Sequence, residues 1–193
     1  SRAVGANSID ADIVAYDKDE DLALLRLRGD GPSISVARLL PRGAESTLLL
    51  SAEVFAVGAA LGEAPVITEG RLSQFGHERE NREFWLSTAP TIFGNSGGAL
   101  FLAETNELIG VPARLAVTMF GFSASPIPHL SFAIPITRVY KFLEDQMFEF
   151  IYDADGHTEA GDAKRREDLR KREEKEQARK EGSVLKYEDE VPF

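Results

Sequence analysis

The sequence predicts an all-β core of short strands, followed by a packing helix and a charged helical tail. Three observations carry that prediction. Short apolar runs recur between turn residues from 53 to 136, the rhythm of a small barrel or sandwich. An apolar stripe at helical spacing follows Pro135. From Asp162 to Glu181 nearly every residue is charged, and opposite charges stand four apart.

In order along the chain, residues 9–28 read as two short strands around an acidic turn. Ile13, Val14 and Tyr16 precede the turn at 17–21, and Leu22, Leu24, Leu25 and Leu27 follow it. The stretch 29–32 breaks the chain, and Arg2 to Asn7 read as a loop. Pro41 and Gly43 signal turns before an apolar run at 48–50. Strands are expected at 54–58, 66–68, 71–73, 84–88, 98–102, 108–112 and 131–134. A helix follows with Thr137 as cap and Val139, Tyr140, Leu143, Met147 and Phe150 as its apolar face. In the tail, Glu167 with Lys171 and Glu176 with Lys180 support a solvated helix, and the lack of apolar heptads argues against a coiled coil. A sharper reading makes it a docking arm ending in Val184, Leu185, Lys186 and Tyr187 and in Val191, Pro192 and Phe193.

Composition excludes several classes. The chain has 193 residues, enough for one domain or two small ones, and is 43% hydrophobic. A net charge of -10, with no basic patch interleaved with aromatics, argues against a nucleic-acid partner. Zero cysteines remove disulfides, thiol nucleophiles and thiolate metal sites. No apolar run has the length of a membrane span. No internal repeat, phosphate-binding glycine loop or metal-ligating cluster is visible, so neither a cofactor nor a metal is expected. The chain opens on Ser1 rather than Met, so its N-terminus leaves the compartment open.

The chemistry concentrates at Gly94-Asn95-Ser96-Gly97-Gly98. A serine between small residues suits a nucleophile in a tight turn. In this oxyanion-hole segment of Gly94, Asn95 and Ser96, the N–H groups of Gly94 and Ser96 can converge on one spot. Serine needs a base oriented by a carboxylate. Asp21, which ends the acidic turn and opens an apolar strand, is the candidate carboxylate and is expected half-buried.

These segments together resemble trypsin-like serine peptidases of the HtrA/Deg type. Asp21-Leu22-Ala23-Leu24-Leu25-Arg26-Leu27 is similar to the family's catalytic-aspartate motif. Val57-Gly58 followed by Val66-Ile67-Thr68-Glu69-Gly70-Arg71-Leu72-Ser73 resembles the stretch opening the second barrel. Ser87 to Leu100 resembles the nucleophile segment, Leu108-Ile109-Gly110-Val111 the strand after it, and Ser131-Phe132-Ala133-Ile134-Pro135 the segment that pairs with substrate. The resemblance implies a double β-barrel with only part of the first barrel present. Residues 1–40 would be the end of the first barrel with the catalytic aspartate. Residues 41–136 would be the second barrel with the nucleophile, 137–150 a packing helix and 151–193 a charged tail. It implies a serine endopeptidase acting on a peptide or protein substrate through an acyl-enzyme, with Ser96 as nucleophile and Asp21 orienting the base. Substrate would lie against Ser131, Phe132 and Ala133. The P1 pocket would be walled by Pro90, Thr91 and Ile92 on one side and by Phe132 and Ala133 on the other, with Phe93 a further substrate-binding residue. Neither wall carries a carboxylate, so a small or medium apolar P1 residue is expected.

Two departures from the family stand out. The family's histidine lies upstream of the aspartate, yet none of the 20 residues before Asp21 is histidine. His77 (in an exposed hairpin), His129 (in a loop) and His157 (opening the tail) all read as surface histidines, and His129 would serve as a substitute base only in an unusual geometry. Two strands also cannot close a barrel. Upstream chain, a partner chain or a reduced first barrel is expected to complete it. The rival reading is a catalytically inactive pseudoprotease used as a peptide-binding or assembly module. The tail after Glu149 is too short and too charged for the PDZ domain that HtrA relatives often carry.

Overall fold

The N-terminal alternation forms a hairpin in the computed structural model, which describes residues 9–29, 36–120 and 123–188. Strands β1 (Ala11–Asp17) and β2 (Leu22–Leu27) pair antiparallel as a separate two-stranded sheet. Asp17 Oδ1 closes the turn by accepting the N–H groups of Asp19 and Glu20 at 2.8 and 3.0 Å. One face turns inward: Ala15 is buried, and Leu22 packs on the cluster of Phe84, Leu86, Ala116, Phe132 and Ile134. The other face carries Ala11, Ile13, Tyr16, Ala23, Leu25 and Leu27, all apolar and all exposed. The predicted break at 29–32 lies largely outside the described residues, and the loop at 2–7 wholly so.

The remaining strands are β3 (Arg38–Leu39), β4 (Glu53–Gly58), β5 (Val66–Arg79), β6 (Arg82–Ser87), β7 (Ala99–Leu102), β8 (Glu107–Phe120) and β9 (Ser123–Pro135). Antiparallel pairings run from β4 to β5, β6, β9, β8 and β7, and return to β4. Six strands thus share a ring of hydrogen bonds, with β3 added parallel to β8. Alternation fills the ring: Val54 and Ala56 of β4 point inward with Leu72, Leu100, Ile109 and Ile134, all buried.

Strands come out longer than their apolar runs suggest. The runs at 66–68 and 71–73 are one strand, because Gly70 continues the ladder where β5 crosses Ala89. A side chain there would put its Cβ 2.1 Å from the Ala89 nitrogen. Residues 126–129, read as a loop, belong to β9, and Pro126 and Ile127 pair with Val117 and Ala116 of β8. Pro126 and Pro128 are two apart, so the missing N–H groups fall on one edge and the other edge stays free to pair.

Helix α1 (Ile136–Asp145) follows β9 without a loop, so Thr137 sits inside its first turn. Arg138 ties the hairpin turn to the barrel: its Nε donates to Glu20 Oε2 at 2.6 Å and its Nη1 to the Glu83 carbonyl at 3.0 Å. Arg82 Nη1 adds a bond to the Asp19 carbonyl at 2.7 Å. Tyr140 donates its hydroxyl to the Leu40 carbonyl at 2.7 Å. The helix stops before Met147 and Phe150. Met147 takes a φ of 57°, and the Phe148 N–H closes back on the Leu143 carbonyl at 2.7 Å.

The chain divides into two compact units, Ser1–Phe142 and Leu143–Phe193. In the second, Thr158 caps α2 (Glu159–Glu188), its Oγ1 accepting the Gly161 N–H at 3.1 Å. At 1.5 Å per residue the helix is about 45 Å long. Lys171 with Glu167 (2.6 Å) and Lys180 with Glu176 (2.8 Å) form the expected i,i+4 pairs. The backbone helix includes 184–187, while 191–193 lie outside the described residues. Among the described residues no helix is long and apolar enough to cross a membrane.

Candidate active site

Ser96 sits on the connection from β6 to β7, and the glycines around it shape the turn. Gly94 and Gly97 have φ values of 99° and 79°, open to glycine and costly for other residues. Asn95 braces the turn from within. It is buried, its N–H donates to the Ile92 carbonyl at 3.1 Å, and its Oδ1 accepts the Ile92 N–H at 3.2 Å. The Leu61 N–H holds the outside of the turn through the Phe93 carbonyl at 2.7 Å. Among the described residues neither the Gly94 nor the Ser96 N–H donates to an acceptor, while those of Asn95, Gly97 and Gly98 are engaged. The two unspent donors belong to the pair of residues that an oxyanion hole needs, and Asn95 serves as brace instead.

Ser96 is exposed, and its Oγ donates to the Ala113 carbonyl of β8 at 3.2 Å. The Gly97 N–H donates to the neighbouring Pro112 carbonyl at 2.9 Å. The turn that carries Ser96 therefore hangs on β8. Strand β7 pairs with β8 only as far as Gly110, so from residue 111 onward the β8 edge opposite β9 carries no described strand.

Asp21 was expected half-buried. It is exposed at the end of the hairpin turn with a φ of 57°. No hydrogen bond joins it to Ser96 or to a histidine among the described residues, so the fold leaves these two candidates unconnected. Ser131, Phe132 and Ala133 were expected to present an edge to substrate. They are buried, with both edges taken: β6 pairs them through Ser87, Leu86 and Trp85, and β8 through Leu115, Arg114 and Pro112. The open edge beside Ser96 is that of β8, which the sequence did not single out. Its only sequence signal was the apolar run at 108–112, which stops where the open edge begins. Thr91 is buried with its hydroxyl unpartnered, Ile92 and Pro90 are half-buried, and Phe93 is exposed.

The histidines are dispersed. His77 lies in the β5–β6 hairpin, as expected, but it is not fully exposed. It is half-buried on β5, with its ring 5.2 Å from that of Phe132. His129 is in β9, exposed, with a ring nitrogen 3.4 Å from the Thr88 carbonyl. His157 belongs to the second unit, where Nδ1 lies 3.0 Å from Asp162 Oδ1. There the fold gathers a cluster the sequence did not reveal: ligand atoms of Glu149, His157 and Asp162 lie within 4.8 Å of one another. Arg165 supplies the cation, its Nη1 reaching Glu149 at 3.2 Å, Asp162 at 3.0 Å and His157 at 3.2 Å. Burial works against the Asp162 carboxylate, but hydrogen bonds from His157, the Phe150 N–H and Arg165 hold it below the ordinary carboxylate range.

A strand ring followed directly by a helix, with a glycine-bounded serine turn hung on one strand, is the architecture of a trypsin-like fold. The trypsin-like peptidase domain family matches residues 2–111, and the chain belongs to it. Within that family its likeness is to the HtrA/Deg type. It is 31% identical over 150 residues to Protease Do-like 1, chloroplastic, of Arabidopsis thaliana, covering 74% of this chain and 32% of that protein. Among solved structures, an HtrA-type protease AlgW with decapeptide superposes with a TM-score of 0.56 at 25% identity, covering 71% of this chain and 41% of the other. An AlgW variant with tripeptide gives 0.55 at 26% identity, covering 74% and 44%. The chain thus spans about a third of the curated relative's length and less than half of the solved chains.

Proposed function

We propose that this chain is the nucleophile-bearing part of a serine endopeptidase that hydrolyses peptide bonds through an acyl-enzyme. The observation that carries the reading is the exposed Ser96 hydroxyl on a turn whose Gly94 and Ser96 N–H groups remain unspent. Ser96 Oγ attacks the scissile carbonyl carbon and gives its proton to a base. The carbonyl oxygen takes the negative charge and is held by the two N–H groups, each worth about 3–4 kcal/mol of barrier. The C–N bond breaks as the amine takes the proton, and water then releases the acyl group. Substrate adds as a strand to the open β8 edge from residue 111, next to the Ala113 carbonyl that orients Ser96. Pro90, Thr91 and Ile92, none of which is a carboxylate, favour a small or medium apolar P1 side chain. The likeness to AlgW structures with bound peptides supports peptide recognition.

The base and the carboxylate that orients it come with a completed first barrel. The exposed apolar face of Ile13, Tyr16, Leu25 and Leu27 is the surface such strands cover, from this protein's own upstream chain or from a partner chain. Asp21, at the end of that hairpin, is the orienting carboxylate once the barrel is complete. Fluorophosphonate labelling of the full-length protein tests the reading. Wild type should be labelled and Ser96→Ala should not; labelling that persists in Ser96→Ala would refute it. A second reading, an inactive peptide-binding or assembly module, is favoured by one observation: Ser96 Oγ donates to a carbonyl, and among the described residues no imidazole is bonded to it. Stoichiometric peptide binding without labelling of wild type would establish that alternative.

A further inference from the structure

An open cavity of about 490 Å³ flanks Ser96 between β4 and β7, within the range of ligand clefts (~300–1,000 Å³). Ser96 and Gly94 form one rim. Val57, Ala59, Pro65, Ala99 and Phe101 supply its side chains, and among the described residues none that lines it is charged. The wall is fixed by the fold: Val57 pairs with Ala99 across the β4–β7 ladder, and the Phe101 ring stacks on Phe55 at 5.0 Å. None of these side chains belongs to the P1 wall or to the β8 edge. The cavity and that edge meet only at the nucleophile turn, because Ser96 bonds to Ala113 of β8 while also lining the cavity.

We propose that this cavity is a specificity subsite that takes an uncharged apolar side chain of the substrate on the side of the scissile bond away from the β8 edge. The proposal rests on the peptidase reading. A peptide whose one half pairs with β8 and whose scissile carbonyl reaches Ser96 continues past the turn at about 3.3 Å per residue. Its next side chains then lie over β4 and β7. With an apolar wall and no counter-charge, the cavity rewards Val or Leu and penalises Asp or Lys, which would lose hydration without gaining a partner.

The test uses the full-length protein and quenched fluorescent peptides that share their β8-side residues. They carry Gly, Ala, Val, Leu, Asp or Lys in the two positions beyond the scissile bond. The expected result is kcat/KM at least about tenfold higher for Val or Leu than for Asp or Lys. In Ala99→Asp the ranking should move toward Lys. If that variant fails to fold by circular dichroism, Val57→Thr keeps the shape and should narrow the Val preference. A flat profile in wild type, or a ranking unchanged in the folded variants, overturns the subsite; a flat profile is also what first-barrel strands filling the cavity would give. Failure of the peptidase reading shows separately, as absent fluorophosphonate labelling. In that case Ser96→Ala is titrated with the same peptides, where tighter binding of Val and Leu peptides upholds the subsite and equal binding removes it.

Discussion

Replacing Gly94 by alanine sets a methyl group against backbone. Its Cβ would lie 2.4 Å from the Ala59 carbonyl oxygen and 2.6 Å from the Leu61 nitrogen, where ordinary contact begins near 3.4 Å. The turn must therefore retreat by about 1 Å from a segment that has no flexible side chain to yield. That retreat loosens the Leu61 N–H bond to the Phe93 carbonyl, now 2.7 Å, which is worth about 1 kcal/mol. The φ of 99° adds strain of roughly 1–3 kcal/mol for a residue with a side chain. The sum is about 2–4 kcal/mol. Gly97→Ala is the control: its φ is 79°, but no atom lies within 4 Å of the added Cβ, so only the conformational term of about 1–2 kcal/mol remains. Urea unfolding followed by the fluorescence of Trp85, the single and buried tryptophan, measures both. Gly94→Ala should cost at least about 1 kcal/mol more than Gly97→Ala, the increment assigned above to the lost hydrogen bond. Equal costs would refute the packing of the nucleophile turn against residues 59–61.

Other perturbations bear on separate contacts. Thr91→Val removes a buried hydroxyl that has no partner and should raise stability by about 1 kcal/mol in the same urea assay; a loss would mean the hydroxyl is satisfied. Arg138→Met breaks the bonds to Glu20 and Glu83 and should cost about 2 kcal/mol, with faster proteolysis at the 17–21 turn. Tyr140→Phe orphans the Leu40 carbonyl and should lower stability by about 1 kcal/mol. Asp162 titrates lower in the folded chain than unfolded, so its contribution is complete above the unfolded carboxylate value of about 3.9 and is lost as pH falls through the folded one. Far-UV circular dichroism should show acid loosening of the 143–193 unit that Asp162→Asn no longer shows.

Much of the barrel was legible because short apolar runs stand between turn residues. The run at 54–58 marks a strand, although only the structure shows that Val54 and Ala56 face inward, and the Ser96 turn announces itself through glycines that only a few backbone shapes require. Where a strand runs past its apolar residues, the sequence is silent: residues 126–129 carry prolines that read as a loop, yet β8 supplies a pairing edge that overrides them. The same limit hid the open edge beside Ser96. Ser131, Phe132 and Ala133 look like an exposed strand in one dimension, but closure of the ring sandwiches them between β6 and β8.

The sequence by itself determined the all-β core and the family and singled out Ser96 as the candidate nucleophile, since those rest on local patterns: apolar runs between turns, glycine spacing and short motifs. Only the tertiary structure decided which strand edge stays open beside Ser96 and which N–H groups remain unspent. It alone showed that Asp21 is exposed on a hairpin whose outer face is apolar, and that a cavity lined by uncharged described residues borders Ser96. These are properties of edges and faces. They depend on which strands become neighbours, and neighbours far apart in the chain leave no local trace in composition or period.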